Sequence, residues 1–315
     1  MTITQLQYIL ALAEHRNFTI AAEKCFVTQP TLSMQIQKLE EELDVLIFDR
    51  TKKPIQPTLV GQKIIDQAKQ IVNESERIQD IIDIHKGYIG GEFKIGIIPT
   101  VMPTLLPMFL KTFLNKYPKV HLIIEERNSS DIIQMIKNGQ LDAGILATPL
   151  HEDTLVEKVL YYEPFVGYVP QNYSLFHQET INPNILDINE LLLLQDGHCF
   201  TDSILNICNT SLENSNQNYQ LQSGSFETLI KLSNEGLGIT LLPYLHTLEI
   251  PEKDKDKIKY FESPYPSREI SLIHTKNELK TQIINALHST IQGVIRGAIA
   301  FQDVKIISPT KNLKK

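Results

Sequence analysis

The chain is poor in cysteine, with three in 315 residues: Cys25, Cys199 and Cys208. So few thiols exclude a disulfide-built scaffold. Long apolar runs are missing too: no stretch approaches the roughly 18 unbroken apolar residues of a membrane span, so no membrane partner is expected. The first residues, Met1-Thr2-Ile3-Thr4-Gln5, have neither the basic start nor the apolar core of an export signal. The expectation is a cytoplasmic protein, where thiols stay reduced by default. An excess of basic residues is also lacking. A net charge of −7 excludes a broadly basic nucleic-acid coat, but leaves room for one local DNA-reading surface.

Two of the three cysteines stand nine positions apart, in Asp196-Gly197-His198-Cys199-Phe200-Thr201-Asp202-Ser203-Ile204-Leu205-Asn206-Ile207-Cys208. Spacing alone leaves a redox switch, a metal site or two small hydrophobes open. Cys199, Cys208 and His198 lack a tetrahedral ligand set at usual spacings, so no metal and no cofactor is expected. If the intervening segment were wholly helical, the two positions would lie roughly 13 Å apart. A disulfide needs Cα atoms within about 7 Å, so bonding would require that segment to refold. Cys25 lies far off and reads as a small residue packed between helices.

The texture predicts an α-rich winged helix-turn-helix over residues 1–58, a linker helix with its hinge over 59–90, and an α/β regulatory domain over 91–315. Ala21 and Ala22 let two helices approach closely. Thr28 is a suitable N-cap and Pro30 fits a first helical turn. Leu32, Ile36, Leu39 and Leu43 form one buried stripe. The other faces offer Gln29, Pro30, Thr31, Ser33, Met34, Gln37 and Lys38 as candidate DNA contacts, with Arg50, Lys52 and Lys53 clustered where a wing would meet phosphate. Residues 1–58 hold six bases against seven acids, so one copy would bind DNA weakly and linked copies are expected. Ile64, Ala68, Ile71, Ser75, Ile78 and Ile82 step by four and three, a coiled-coil seam with one polar break and a candidate dimer interface.

From residue 91 onward a βαβαβ pattern predicts α/β architecture with parallel strands. A second unit begins after about residue 162, and the chain crosses back near Ser263-Pro264-Tyr265-Pro266. The result is two lobes, 91–162 with 267–305 and 163–266, enclosing a cleft suited to a small ligand. The tail from Ser308 to Lys315 reads as polar and mobile.

The string Ala21-Ala22-Glu23-Lys24-Cys25-Phe26-Val27-Thr28-Gln29-Pro30-Thr31-Leu32-Ser33-Met34-Gln35-Ile36 closely resembles the winged helix-turn-helix of LysR-type transcriptional regulators. Lys38-Leu39-Glu40, Leu46-Ile47-Phe48-Asp49-Arg50 and Thr58-Leu59-Val60-Gly61 continue the match. The resemblance covers the whole chain: winged helix, linker helix and a two-lobed effector domain like a periplasmic binding protein. Ile98-Pro99-Thr100-Val101, and Leu191-Leu192-Leu193-Leu194-Gln195-Asp196-Gly197-His198-Cys199 followed by Cys208, resemble the peroxide-sensing members of that family.

This resemblance implies that Cys199 is the peroxide-reactive thiol and Cys208 the resolving one, with Thr100, Ser129, His198 and Arg268 forming the peroxide pocket. Ser129 stands where those members usually carry Thr, and keeps the hydroxyl. Thr201 stands where they often carry a basic residue. The implied partners are double-stranded promoter DNA, hydrogen peroxide, a second copy in a homodimer or homotetramer, RNA polymerase, and a glutaredoxin or thioredoxin as reductant. The chain is then a regulator and not an enzyme. The competing readings are a LysR-type regulator of a small organic effector without thiol chemistry, a thiol peroxidase, and a solute-binding transport component.

Overall fold

The computed structural model describes residues 1–85, 89–195, 199–208, 224–301 and 303–310. The chain divides into two compact units, one built from residues up to 88 and the other essentially from 89 onward.

The first unit opens with α1 (Ile3–His15), started by a reciprocal cap in which Thr2 and Gln5 each bond the other's backbone. α2 (Phe18–Lys24) is capped by the Asn17 side chain, which accepts from the Thr19 and Ile20 amides. α3 (Gln29–Leu43) follows. Thr28 takes its N-cap position, but its hydroxyl pairs with that of Thr31 at 2.8 Å rather than with a backbone amide. Ala21, Ala22, Leu32, Ile36 and Leu39 are buried in one core.

The expected stripe ends a turn early. Leu43 is 37% exposed, because the chain leaves the helix at Asp44 in a left-handed conformation. Glu40 is buried instead. Its Oε1 accepts from the Ile47 and Phe48 amides at 2.8 and 3.1 Å, and its Oε2 accepts from Arg50 Nη2 at 2.7 Å. This carboxylate fastens the wing, formed by antiparallel β1 (Phe48–Asp49) and β2 (Gln56–Pro57), to α3.

α4 (Leu59–His85) is a single long helix. Among its described residues, Ile65, Ala68 and Val72 bury their side chains in the core of the same unit, with Ile64 and Ile71 at the edge. Ala68, expected on a dimer seam, is thus enclosed in its own head. Ile65, Ala68 and Val72 share one core with Leu6, Ile9 and Leu12 of α1. Ile78 and Ile82 are exposed, as is Ile81.

The second unit begins with β3 (Gly91–Ile97), α5 (Met102–Lys116), β4 (Val120–Glu126), α6 (Ser129–Lys137) and β5 (Ala143–Thr148). β3 pairs in parallel with β4 and with β5. α6 lies close on these strands: a Cβ at Gly144 would stand 2.3 Å from the Ile132 side chain. Glycine there lets α6 settle deeply enough to bring its first residue, Ser129, to the strand ends.

The chain continues through β6 (Leu155–Tyr168), β7 (Thr180–Ile181), β8 (Leu191–Leu192), α7 (Cys199–Cys208), α8 (Phe226–Asn234), β9 (Ile239–Pro243), α9 (Tyr244–Thr247) and β10 (Ile258–Phe261). β11 (Tyr265–Thr275), α10 (Thr281–Ile295) and β12 (Val304–Ile306) complete it. The sheet runs β4-β3-β5-β11-β6-β10-β7, with β9 on β6, β8 on β9 and β12 on β11. It is mixed rather than parallel throughout. β11 lies antiparallel to both β5 and β6 because the chain re-enters from the second lobe in the opposite direction.

Two hydrophobic cores form on this sheet. The first gathers β3, β5, α5 and α10 residues such as Phe93, Ile145, Phe109 and Leu287. The second gathers Phe165, Phe200, Ile204, Leu229, Leu241 and Phe261. The end of the chain is not loose at Ser308. Ile307 is buried in the second core and its amide donates to the Ser267 carbonyl at 2.8 Å. Ser203 Oγ donates to the Ser308 carbonyl at 3.3 Å, and Asn206 Nδ2 donates to the carbonyls of Ser308 and Thr310 at 3.0 and 2.9 Å. These bonds hold 308–310 against α7; the rest of the tail lies outside the described residues.

Candidate functional site

Thr100 follows β3, Ser129 opens α6, Arg268 stands on β11 and Cys199 opens α7. The fold brings these four together from across the sequence. His198 falls outside the described residues.

Arg268 is only 2% exposed. Its Nη1 donates to Thr100 Oγ1 at 2.8 Å and its Nη2 to the Thr100 carbonyl at 3.0 Å. On the other edge, Nε and Nη2 both donate to Glu163 Oε2, at 3.0 and 2.8 Å. Glu163 is itself 1% exposed, and its Oε1 accepts from the Leu245 amide at 2.9 Å. The Phe200 ring lies against the guanidinium, 5.2 Å from its centre. A buried charge of this kind persists because its partner and its hydrogen bonds repay the lost hydration.

Cys199 is partly exposed, yet burial is the largest influence on its thiol and pushes it above the usual range. The Ser129 hydroxyl, the Arg268 charge and the Ala147 backbone pull it back down, while Asp202 pushes it up. Ser129 Oγ is buried with no partner of standard hydrogen-bond geometry, although it lies near enough to the sulfur to favour the thiolate. The Tyr161 hydroxyl is likewise buried without a partner among the described residues, and feels both Glu163 and Arg268. The arrangement can therefore do two things. It supplies hydroxyl and guanidinium donors beside a nucleophilic sulfur, and it withholds full ionisation from that sulfur.

Cys208 closes α7 at the opposite end. Burial, reinforced by Asp187, pushes its thiol up to about 11. Both cysteines are free thiols. Across nine helical residues their Cα atoms stand about 13 Å apart, beyond disulfide reach. Cys199 packs against the first core and Cys208 against the second. Cys25 caps α2, packs on the head's core, and has a thiol raised by burial. Thr201, which stands where the resembled regulators often carry a basic residue, is buried and donates to the Leu194 carbonyl at 3.0 Å.

Glu163 was not legible as a site residue. The signal was a lone acid in the otherwise apolar run Tyr161-Tyr162-Glu163-Pro164-Phe165-Val166. An acid there must face a buried cation or leave the strand. Its partner is fixed only by the β6–β11 register, which sets Arg268 opposite Glu163.

On the head, Gln29, Pro30, Met34, Gln37 and Lys38 lie on the exposed side of α3, with Thr31 and Ser33 partly covered. Lys52 and Lys53 are exposed at the wing. Arg50 is different: its guanidinium is engaged by Glu40 and lies 5.5 Å from the centre of the Phe18 ring. It braces the wing, while Lys52 and Lys53 beside it are exposed.

A helix-turn-helix head joined to a two-core, two-lobed α/β unit defines a DNA-binding regulator with a responsive domain. Residues 3–62 match the family described as bacterial regulatory helix-turn-helix protein, lysR family, and residues 86–296 match the LysR substrate binding domain. The chain belongs to the LysR family of transcriptional regulators. It is 33% identical over 276 residues to the DNA-binding transcriptional dual regulator OxyR of Escherichia coli K12, covering 87% of this chain and 89% of that one. Among solved structures it is similar to a full-length OxyR of Pseudomonas aeruginosa carrying a cysteine-to-aspartate substitution. That likeness has a TM-score of 0.76 at 31% identity and covers 93% of this chain and 98% of that one. It is also similar to a hydrogen-peroxide-bound OxyR cysteine mutant of Corynebacterium glutamicum, with a TM-score of 0.63 at 25% identity, covering 96% and 98%. Among the described residues, no helix is long and apolar enough to cross a membrane.

Proposed function

We propose that this regulator responds to hydrogen peroxide, with Cys199 as the reacting thiol and Cys208 as its resolving partner. The observation that carries this reading is Cys199 set beside Thr100, Ser129 and Arg268, at one end of a helix whose other end is a second thiol. The likeness to regulators whose names include hydrogen peroxide induction supports it. So does the likeness to a peroxide-bound structure.

The Cys199 thiolate attacks one peroxide oxygen and the O–O bond breaks. The departing hydroxide takes a proton and leaves as water, and the sulfur becomes a sulfenic acid. The Cys208 thiolate then attacks that sulfur, a disulfide forms, and a second water leaves. Peroxide is reduced and the two thiols are oxidised by two electrons. Thr100, Ser129 and Arg268 hold the peroxide oxygens and favour charge on the departing one. A reductant of the dithiol class returns the protein to its starting state.

The disulfide cannot form across an intact α7. Closing it draws buried Phe200, Ile204 and Ile207 away from the second core. Oxidation thereby becomes a change of shape, which alters how a dimer joined through the exposed end of α4 presents its two heads to promoter DNA. The test is alkylation with intact-mass measurement before and after one equivalent of peroxide, paired with a promoter footprint. Loss of two alkylatable thiols at Cys199 and Cys208, with a footprint shift abolished by Cys208→Ser, is the expected result. A full footprint shift in Cys208→Ser rejects the disulfide switch. A normal response in Cys199→Ser rejects thiol sensing altogether.

A further inference from the structure

We propose that Glu163 is a positioning residue for the Cys199 reaction, holding Arg268 in the one orientation that offers an Nη1 donor beside Thr100. The proposal rests on the peroxide-sensing reading above.

The geometry assigns nearly every donor of the guanidinium. It has five N–H groups. Two go to Glu163 Oε2 and one to the Thr100 carbonyl. One Nη1 hydrogen goes to Thr100 Oγ1. A single Nη1 N–H has no partner among the described residues. In the planar guanidinium it lies on the edge opposite the one that Glu163 holds. The paired edge is anchored in turn, because the Leu245 amide fixes the second carboxylate oxygen. Phe200 then covers one face of the plane. A long side chain with four flexible torsions is thus locked by contacts on its edge and its face.

Glu163 has a second consequence. Its carboxylate pairs with Arg268, and the pull of that cation on the Cys199 thiol is outweighed by burial, so the sulfur meets a directed donor more than a strong cation. Among the described residues, the charged and titratable groups around this point are Glu163, Arg268, Asp202, Tyr161 and His246, the last also feeling Glu227 and Glu249. Selectivity for peroxide over other electrophiles then comes from placement. A low-ionising thiol reacts slowly with a reagent that needs only thiolate. It reacts faster with one whose leaving oxygen Arg268 and Thr100 can receive.

Two reagents separate these roles in the full-length protein. Iodoacetamide reports the Cys199 thiolate, whereas hydrogen peroxide reports thiolate and placement together. Both second-order rates are read from Cys199 peptide masses across a pH series. Glu163→Asp keeps the charge but shortens the arm. It should lower the peroxide rate about tenfold or more while leaving the iodoacetamide profile nearly unchanged. Glu163→Gln keeps the length but removes the charge. It should move the iodoacetamide profile to lower pH and lower the peroxide-to-iodoacetamide ratio by about the same factor. An unchanged ratio in both variants overturns the proposal, and so does an equal fall of both rates, which marks a purely structural role. If Glu163→Gln does not fold, Glu163→Asp decides. If wild-type Cys199 reacts with peroxide no faster than Cys25, the sensing reading itself fails, and this inference with it.

Discussion

Asn206 and Ser308 lie 102 positions apart and meet at 3.0 Å, the side-chain amide of α7 donating to a carbonyl at the end of the chain. Asn206 also reaches the Thr310 carbonyl at 2.9 Å, and the Ser203 hydroxyl, shared with the Cys199 carbonyl at 3.0 Å, is the second donor to Ser308, at 3.3 Å. Each such bond is worth about 1 kcal/mol in net terms. Any unwinding of α7 must first release this clamp. Asn206→Ala should therefore speed disulfide formation by up to about tenfold once Cys199 is oxidised, if opening limits the step. A chain ending at Ile307 should do the same. The check is the time course of second-thiol loss after one equivalent of peroxide; identical rates in wild type and variants would remove the clamp from the mechanism.

Cys208 sets a pH dependence of stability. Its folded-state thiol is held up to about 11 by burial, above its ordinary value. The folded state therefore binds that proton more tightly than the unfolded chain does. The associated stability is fully present below the ordinary thiol range and is lost as pH rises through about 11. Thermal unfolding of wild type should fall more steeply than that of Cys208→Ser across this alkaline window. Parallel curves would contradict the burial argument.

Removing one member of the Arg268–Glu163 pair should cost far more than removing both. Arg268→Met leaves the Glu163 carboxylate buried with only the Leu245 amide as its donor. The expected loss is about 3–5 kcal/mol. Adding Glu163→Gln should restore part of it. Denaturant unfolding of the two single variants and the double variant forms a cycle that isolates the pair.

These two residues also mark where sequence reading ran out. Elements with local signals were legible: the close helix packing at Ala21 and Ala22, the α3 stripe through Leu39, and the β3-α5-β4-α6-β5 alternation all follow from residue size, periodicity and capping. Thr100 and Arg268 came from resemblance, and the fold sets them in contact 168 positions apart. Glu163 was missed because its meaning depends on strand register, which no local pattern encodes. Ala68 was misplaced for a related reason. A stripe of small and branched residues on a long helix fits a partner helix and its own domain equally well, and here α1 takes it. The tail was read as loose from its polarity, but buried Ile307 and the backbone carbonyls beyond it give it a docking site that composition does not express.

On the head, Glu40→Ala should weaken DNA binding even though it removes a negative charge. The Ile47 and Phe48 amides and Arg50 would lose a shared acceptor, and the wing would lose its anchor on α3. Lys53→Ala should instead weaken binding evenly across sequences and lower the salt slope by about one unit. Binding titrations at several salt concentrations distinguish the two. A stronger complex in Glu40→Ala would mean that long-range charge outweighs the wing's support.

β6 runs unbroken for 14 residues, and its first part lies in one core while its last part lies in the other. Along most of that length it pairs with β11, from Leu155 against Thr275 to Pro164 against Ser267, with a single register shift near Ile270. A strand ladder shared in this way acts as a stiff spine. It resists the clamshell closing that two lobes on flexible crossovers would allow. On the proposed reading, a change starting at α7 has a narrow outlet: once its bonds to residues 308 and 310 release, the flank where that helix and Ile307 lie over the second core repacks, while the framework beneath it keeps its shape.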